Sequence, residues 1–215
     1  MTIEQIRQCL DSPLPGALAQ KKMAPQPRTG EIDRWHVPDD CQKAAVLLLL
    51  YPHTDDGHAP ELHLPLIKRT LYDGAHSGQI ALPGGRQEGG ETLAETALRE
   101  AVEEIGVTAG QTKIIGCLSP LYTPPSNFCI SPYVAIAARR PDFQLERKEV
   151  AALFEVPLRQ LLNPAVHKEE LWQFQNYGQR RVPFFNIAGH KVWGATAMIL
   201  SEFLTMLSDG FFSDE

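Results

Sequence analysis

The sequence predicts an α/β domain, and three stretches of the chain support this prediction. Within Gly85–Val107, apolar side chains fall on one side of a helical wheel and carboxylates on the other, which indicates an amphipathic helix. The segment Ala44–Tyr51 is a continuous apolar run, as expected of a strand covered on both faces. Residues Trp193–Leu207 repeat apolar side chains at helical spacing and predict a closing helix.

The other elements follow from local patterns along the chain. The pattern Thr2-x-x-Gln5 is a capping box, and it predicts a short helix over residues 2–10. A polar stretch with many prolines follows and predicts an irregular arm, either ordered or flexible. A second short helix is expected at residues 158–162. Strands are expected at residues 44–51, 62–69, 79–82, 113–118, 128–137, 170–175 and 182–187.

Two turns complete this description. The first two long strands form a hairpin through a turn at residues 54–57, and the last two form a hairpin around residues 177–178. A chain of 215 residues that is 43% hydrophobic and 21% charged needs no second core. We therefore expect residues 1–39 to form an N-terminal helix with a proline-rich arm, and residues 40–210 to form the main domain.

Charge and composition exclude several classes of protein. A formal net charge of −6 argues against binding nucleic acid through a basic surface, although a phosphate-bearing small molecule remains open if metal ions invert the local field. No stretch reaches the length of a membrane span, and the first residues resemble no secretion signal, so a cytoplasmic location and no membrane partner are expected. Neither G-x-S-x-G, a P-loop nor G-x-G-x-x-G occurs. The cysteines lack metal or redox spacing, and buried thiols are expected at Cys9, Cys41, Cys117 and Cys129.

Three carboxylates are concentrated on one side of the predicted helix. Glu103 and Glu104 lie about 60° and about 40° to either side of Glu100, while the opposite, apolar stripe includes Ala94, Leu98, Ala101, Val102 and Ile105. Like charges at this spacing repel each other, so a cation must compensate. Mg²⁺ prefers carboxylate oxygens and bridges to phosphates, whereas the simpler alternative is a solvated acidic surface paired with Arg99.

The residues before and within this helix resemble the Nudix box. The box has Gly, five residues, Glu, seven residues, Arg-Glu, an aliphatic residue, one residue, Glu-Glu, one residue, Gly and an aliphatic residue. Only the small Ala101 departs from it, at the first aliphatic position. The chain matches the box at Gly85, Glu91, Arg99, Glu100, Glu103, Glu104, Gly106 and Val107.

This resemblance implies an α/β/α sandwich with a mixed β-sheet, and a diphosphate hydrolase that uses Mg²⁺ or Mn²⁺. It implies that the carbonyl of Gly85 and the side chains of Glu100, Glu103 and Glu104 bind the metal. Arg99 and Glu91 would pair and fix the loop against the helix.

A carboxylate outside the box commonly completes such a site in this family, and Glu149 lies at the most similar position. Glu146 is a neighbouring alternative. The general base stays open between Glu100, Glu103 and Glu149.

The segment before the box resembles a second motif, found in the coenzyme A diphosphatase branch of the family. Arg69, Gly78 and Pro83-Gly84-Gly85 match that motif, and residues 193–200 resemble the last helix of the same branch. Ile67, Gly74 and Leu82 replace its Thr, second Arg and Phe, and Thr70 stands at its Ser/Ala position. The missing Arg is the most serious departure because glycine cannot bind a phosphate through two hydrogen bonds.

The substrate is therefore less well defined than the reaction. Lys68, Arg69 and Arg86 are cations that could replace the missing arginine. The loop Tyr122–Asn127 is expected to border the substrate through Tyr122, Ser126 and Asn127. The resemblance implies a small molecule with a diphosphate linkage as partner, and it leaves a homodimer open.

Three functions remain open at this point. The first is hydrolysis of coenzyme A or acyl-coenzyme A to adenosine 3′,5′-bisphosphate and 4′-phosphopantetheine. The second is hydrolysis of another nucleoside diphosphate derivative, such as ADP-ribose or a dinucleotide, which the missing arginine at Gly74 keeps open. The third is a catalytically silent nucleotide-binding module, but no glutamate of the box is missing.

Overall fold

The computed structural model describes residues 2–26, 37–54, 59–74, 76–175 and 178–212, without the side chains of residues 109 and 209–212. The helices in this part are α1 (Ile3–Leu10), α2 (Gly16–Lys21), α3 (Leu93–Ile105), α4 (Leu158–Leu162) and α5 (Gly194–Phe212). The strands are β1 (Gln42–His53), β2 (Glu61–Arg69), β3 (Ile80–Ala81), β4 (Gly84–Arg86), β5 (Thr112–Cys117), β6 (Leu121–Thr123), β7 (Phe128–Ala137), β8 (Val150–Pro157), β9 (His167–Phe174), β10 (Gly178–Ile187) and β11 (His190–Val192). The predicted turn at 54–57 lies largely outside the described residues, as does residue 177 of the second turn.

The larger sheet is mixed and has β1 at its centre. Its main path runs β3-β2-β1-β7-β5, while β4 pairs with β1, β6 with β7 and β8 with β2. The β1–β7 pair is parallel and the other pairs are antiparallel. The predicted hairpin of β1 and β2 is confirmed, but the pairs extend only from Tyr51↔His63 to His53↔Glu61. Further along β2, Ile67 and Lys68 pair with β3, while β8 pairs with the other edge of β2 from His63 to Arg69.

Strand β1 is buried on both faces, as its continuous apolar sequence predicts. Leu48 and Leu50 pack into a core with α5, whereas Leu47 and Leu49 pack into a second core with α3. Successive side chains of a strand point to opposite faces, so one apolar run supplies both cores. Helices therefore cover both faces of a mixed sheet, and the expected α/β/α sandwich is confirmed.

The N-terminal segment packs on the outer side of α5. The capping box of α1 is present, because Thr2 Oγ1 accepts from the backbone of Gln5 at 3.3 Å and Gln5 Oε1 accepts from the backbone of Thr2 at 2.7 Å. The arm that follows is not wholly irregular as expected, since residues 16–21 form α2. The buried Glu202 of α5 accepts hydrogen bonds from Gln20 Nε2 at 2.8 Å and from Gly16 N at 3.2 Å, which explains why this segment is ordered.

Residues 27–36 of the predicted arm lie outside the described residues, and the boundary at residue 39 stays a prediction. None of the helices in the described ranges combines the length and the apolar character needed to cross a membrane.

A smaller antiparallel sheet, ordered β11-β10-β9, packs beside the end of the larger sheet. The predicted hairpin of β9 and β10 is confirmed, with pairs from Gly178↔Phe174 to Phe185↔His167. Phe185 and Val192 of this sheet join the α5 core. The smaller sheet therefore brings its own side chains close to the start of α5.

The expectation of four buried thiols is wrong for three of the cysteines. Cys41 and Cys129 form a disulfide with their Cα atoms 5.8 Å apart, and Cys117 is exposed. The parallel pairing of β1 with β7 places Lys43 opposite Cys129, so Cys41, two residues before Lys43, lies within reach. The two cysteines are 88 residues apart in the chain, so the sequence alone does not show that they are close in space. Only Cys9 is a buried thiol.

Candidate active site

Helix α3 is defined at both ends by local interactions. Thr92 caps its first turn in a capping box with Glu95, and Gly106 ends it in the left-handed conformation at φ 72°. Ala97 and Ala101 lie fully buried against the sheet. Their small side chains allow the helix to approach β1 closely, which fixes the orientation of its glutamates.

The orientation of α3 differs from the prediction. Val102, expected on the apolar stripe, is 41% exposed, whereas Glu104, expected on the acidic side, is fully buried. The buried side is centred on Ala97 and Ala101 and is therefore rotated toward the glutamates. The three carboxylates consequently lie in three different environments.

Glu104 is a buried carboxylate with two fixed partners. Its Oε2 accepts from the backbone N–H of Gly84 at 2.8 Å, and its Oε1 accepts from Arg69 Nη1 at 3.2 Å. Burial raises the pKa of Glu104 to about 7, while Arg69 and the Gly84 N–H oppose that shift. Arg69, predicted to bind substrate, is thus the ion-pair partner of a predicted metal ligand.

Glu100 lies directly against Gly85. A Cβ atom at position 85 would overlap the carboxylate of Glu100, so the box requires glycine there for space. Burial raises the pKa of Glu100, hydrogen bonding to Arg99 lowers it, and the negative charges of Glu103 and Glu149 raise it again. The predicted metal-binding backbone and side chain are therefore in contact.

Arg99 connects the loop to the helix through five hydrogen bonds. Its Nε and Nη2 donate to the two oxygens of Glu91 at 3.1 and 2.9 Å. Its Nη1 donates to Glu100 at 2.8 Å and to Glu103 at 2.9 Å, and its Nη2 also donates to the carbonyl of Arg86 at 3.0 Å. Hydrogen bonds from Arg99 and from the backbone of Glu88 lower the pKa of Glu91 to about 2. The geometry matches the expected Arg99–Glu91 pair.

Glu149, predicted from outside the box, lies near these carboxylates. It is exposed, and its charge raises the pKa of both Glu100 and Glu104. Its backbone carbonyl accepts from Thr70 N at 2.9 Å, which ties this turn to the end of β2. Glu146 is oriented differently, because its Oε1 accepts from the backbone of Lys148 at 3.0 Å. Of the two alternatives, Glu149 is the one whose charge acts on Glu100 and Glu104, and its role in the site stays a prediction.

A cavity of about 1060 Å³ begins at the box. Arg69, Arg86 and Tyr122 line it, whereas Ser126 and Asn127 are not among the lining residues. Tyr122 Oη donates to Asn127 Oδ1 at 3.1 Å, so Asn127 positions the tyrosine. Ser126 Oγ shares a hydrogen bond of 3.0 Å with the hydroxyl of Thr123, which does line the cavity. These two predicted substrate residues thus support the cavity wall.

The wall also contains residues that the sequence did not indicate. Lys21, Gln26, Phe174, Arg180 and Trp193 line the same cavity although they lie far from the box in sequence. The aromatic residues of the β9–β10 hairpin were apparent in the sequence, but nothing local indicated which side of the hairpin faces a cavity.

The carboxylates suit a hard divalent cation by their chemistry. Oxygen donors are the ligands that Mg²⁺ and Mn²⁺ prefer. Burial is the main cause of the raised pKa of Glu100 and of Glu104, and neighbouring glutamate charges raise it further, and this negative charge favours a cation. Within the described ranges, no three His, Cys, Asp or Glu side chains converge on a ready metal position. Arg99 and Arg69 pair with the glutamates in this geometry, so a bound cation would share these carboxylates with the two arginines.

Comparisons with known proteins agree with this geometry. The family model described as the NUDIX domain matches residues 42–176. "Nudix hydrolase 3" of Caenorhabditis elegans is 30% identical over 191 residues, covering 80% of this chain and 77% of the relative. The "Uncharacterized Nudix hydrolase NudL" of Yersinia enterocolitica is 35% identical over 144 residues, covering 66% of this chain and 72% of the relative.

Solved structures are more distantly similar. A C. elegans Ap4A hydrolase binary complex is 21% identical, with a TM-score of 0.45, and the match covers 54% of this chain and 80% of that chain. This likeness is too low to bear on the substrate. The family model and the sequence relatives, by contrast, cover most of the chain, and together they establish that this protein belongs to the Nudix hydrolase family.

Proposed function

We propose that this Nudix hydrolase cleaves the diphosphate linkage of coenzyme A or an acyl-coenzyme A, with Mg²⁺ or Mn²⁺ as cofactor. The observation that carries this assignment is the charge distribution around the box. The cavity beside the carboxylates is lined by four basic side chains, Lys21, Arg69, Arg86 and Arg180, and no acidic one among the described residues. In a chain with a net charge of −6, such a lining favours a substrate with several negative charges.

The metal would be held by Glu100, Glu103, Glu104 and the carbonyl of Gly85. Nudix hydrolases generally use divalent cations, and when bound such an ion neutralises phosphate charge and lowers the pKa of a water molecule. Arg99 holds Glu100 and Glu103 beside each other and fixes the loop through Glu91.

Glu149 is our choice for the proton acceptor. Glu100 and Glu103 both accept hydrogen bonds from Arg99, and each is assigned to the metal. Glu149 is exposed next to the carboxylate cluster, and its position outside α3 leaves it able to approach a water molecule from another direction. In this assignment, Glu149 takes the proton that the attacking water loses.

The size of the cavity supports a large substrate. A volume of about 1060 Å³ lies just above the usual range of small-molecule sites, about 300–1000 Å³. Tyr72, Tyr122 and Phe128 supply aromatic surface for a base or a pantetheine chain. The products would be adenosine 3′,5′-bisphosphate and (acyl-)4′-phosphopantetheine.

A second candidate is the hydrolysis of ADP-ribose or a dinucleotide. Gly74 favours it, because the arginine of the coenzyme A motif is absent there and the ring of Tyr72 occupies the space that a side chain at position 74 would need. Arg69, a candidate replacement, is paired with Glu104. Arg86 remains as the replacement nearest to the box.

A substrate panel tests this function. The purified protein is incubated with Mg²⁺ or Mn²⁺ and coenzyme A, acetyl-coenzyme A, ADP-ribose, NADH or diadenosine polyphosphates, and the products are identified by mass spectrometry. We expect the highest kcat/KM on coenzyme A or its acetyl ester. Preference for ADP-ribose or a diadenosine polyphosphate would overturn the coenzyme A assignment, and no turnover at all would favour the silent binding module.

A further inference from the structure

Thr70 connects the end of β2 to the turn that carries Glu149. Its backbone N–H donates to the carbonyl of Glu149 at 2.9 Å, and its hydroxyl donates to the carbonyl of Lys148 at 2.9 Å. Two consecutive carbonyls of the turn therefore bond to a single residue of another element. The turn is closed on itself as well, because the N–H of Glu149 donates to the carbonyl of Glu146 at 3.0 Å. Thr70 thus holds this turn from outside, at the position of Glu149.

The segment that leads into this turn is held by α3. The N–H of Glu146 donates to the carbonyl of Glu104 at 3.0 Å, and the N–H of Gln144 donates to the carbonyl of Ile105 at 3.0 Å. These bonds join the turn to the last residues of the helix that carries the glutamates of the box. The turn is therefore fixed by two elements, by α3 before Glu149 and by the end of β2 at Glu149 itself.

The end of β2 lies beside the box glutamates. The register of β2 on β8 shifts between Lys68 and Arg69, and Arg69 then pairs with Val150, the residue after the turn. Irregularities of this kind redirect a strand, and they are common next to active sites. Arg69 Nη1 donates to Glu104 Oε1 at 3.2 Å, so the residue that precedes Thr70 already contacts the carboxylate cluster. The hydroxyl of Thr70 therefore acts on the turn within the site and not at a distance from it.

We propose that Thr70 is a positioning residue that holds Glu149 at the carboxylate cluster. This inference rests on the proposed function, because it takes Glu149 as the proton acceptor. Glu149 is exposed, so its own burial does not fix the carboxylate in place, and the backbone of the turn must do so. A proton acceptor has to lie within hydrogen-bond reach of the attacking water, and a misplacement of about 1 Å costs about 100-fold in rate. The bond from Thr70 to Lys148 therefore contributes to turnover without contacting substrate.

The first test removes the hydroxyl of Thr70. Thr70→Val keeps the branched shape and the two backbone bonds, to Glu149 and from Gly78, and removes only the bond to Lys148. On the best substrate of the panel, we expect kcat to fall about 10-fold with KM within about twofold of wild type, because a proton acceptor acts in the chemical step. Thr70→Ser keeps the hydroxyl and should retain kcat within about twofold. The bond is exposed, so both variants should melt within about 2 °C of wild type.

A double variant shows whether Thr70 acts through Glu149. Glu149→Gln should lower kcat at least about 100-fold, and adding Thr70→Val should then change kcat less than about twofold, because residues that act together are not additive. The matched control is Thr112→Val on β5, which removes a hydroxyl bond of 3.4 Å to the carbonyl of Thr108 and should leave kcat unchanged. The proposal is overturned if Thr70→Val retains the wild-type kcat, if it costs the same factor in both backgrounds, or if Glu149→Gln turns over normally.

Hydrogen exchange provides a measurement that needs no turnover. The N–H of Val150 donates to the carbonyl of Glu146 at 2.8 Å, so its exchange rate reports whether the turn is closed. In Thr70→Val this amide should exchange at least about threefold faster than in wild type, and in Thr112→Val it should not. An unchanged rate in Thr70→Val would overturn the proposal whatever happens to kcat. Faster exchange in a protein that hydrolyses no substrate of the panel would refute the proposed function and leave the positioning of Glu149 by Thr70 supported.

Discussion

Replacing Arg99 by methionine should weaken both the fold and the site, because this side chain joins the loop of the box to α3. The substitution keeps much of the aliphatic stem but removes five hydrogen bonds to Glu91, Glu100, Glu103 and the carbonyl of Arg86. The side chain is 24% exposed, so we take about 0.5 kcal/mol for each bond, the low end of the usual range. The sum is about 2.5 kcal/mol of unfolding free energy.

Thermal unfolding measures this loss directly. For a chain of this length, about 1 kcal/mol moves the melting temperature by about 2–4 °C, so Arg99→Met should melt about 5–10 °C below wild type. The matched control is Arg181→Met, which removes an exposed arginine with one ion pair to Glu169 and should shift melting by less than about 2 °C. Melting of Arg99→Met within 1 °C of this control would refute the idea that Arg99 holds the loop, whatever its effect on turnover.

Two further outcomes follow from the geometry. Gly85→Ala places a methyl group against the carboxylate of Glu100, and that flexible side chain moves away more easily than the backbone does. We therefore expect kcat/KM to fall about 100-fold with little change in melting temperature. Turnover equal to that of wild type would contradict this expectation. In Glu155, burial raises the pKa, but hydrogen bonds from Arg140 and Tyr51 lower it by more, so its folded pKa lies below the ordinary 4.5. The resulting stability is present above about pH 4.5 and is lost as the pH falls through the lowered folded pKa. Urea unfolding should therefore show Glu155→Gln less stable than wild type at about pH 7, with a smaller difference at about pH 3, and a constant difference would argue against this cause.

Much of the fold follows from patterns that are local in sequence. The capping box at Thr2 sets the start of α1 as predicted, a second one at Thr92 sets the start of α3, and the predicted strand 128–137 coincides with β7. Side-chain period and capping depend on neighbours within a few residues, so one chain is enough to identify them. The mixed sheet itself was implied by the family resemblance, since strand order depends on contacts between distant segments.

The rotation of α3 could not be predicted from its own residues. A helical wheel assigns apolar side chains to the core, which puts Val102 inside and Glu104 outside. The structure reverses both because Arg69 and the N–H of Gly84 satisfy a buried carboxylate, and these partners come from other elements. A buried charge with two fixed donors can thus override hydrophobic patterning.

The residues that form the far wall of the cavity could not be predicted from the sequence either. Arg180 lies in a strand, where successive side chains point to opposite faces of the sheet. This alternation assigns Arg180 to one face but does not indicate what packs against that face. Its place on the cavity depends on packing of the smaller sheet against the start of α5 and on the segment ending at Gln26. The disulfide between Cys41 and Cys129 was missed for the same reason, because parallel strand pairing brings together residues that are distant in the chain.

The central claim is that the glutamates of α3 hold the metal for diphosphate hydrolysis, and Glu103→Gln tests it most directly. Glu103 is 56% exposed and makes one i,i+4 ion pair, so its loss should cost about 0.5 kcal/mol and leave the fold intact. We expect Mg²⁺-dependent kcat/KM on the best substrate to fall at least about 100-fold, while Glu88→Gln, which removes an exposed loop carboxylate, stays within about twofold of wild type. Near-normal turnover of a folded Glu103→Gln protein at limiting Mg²⁺ would contradict the assignment.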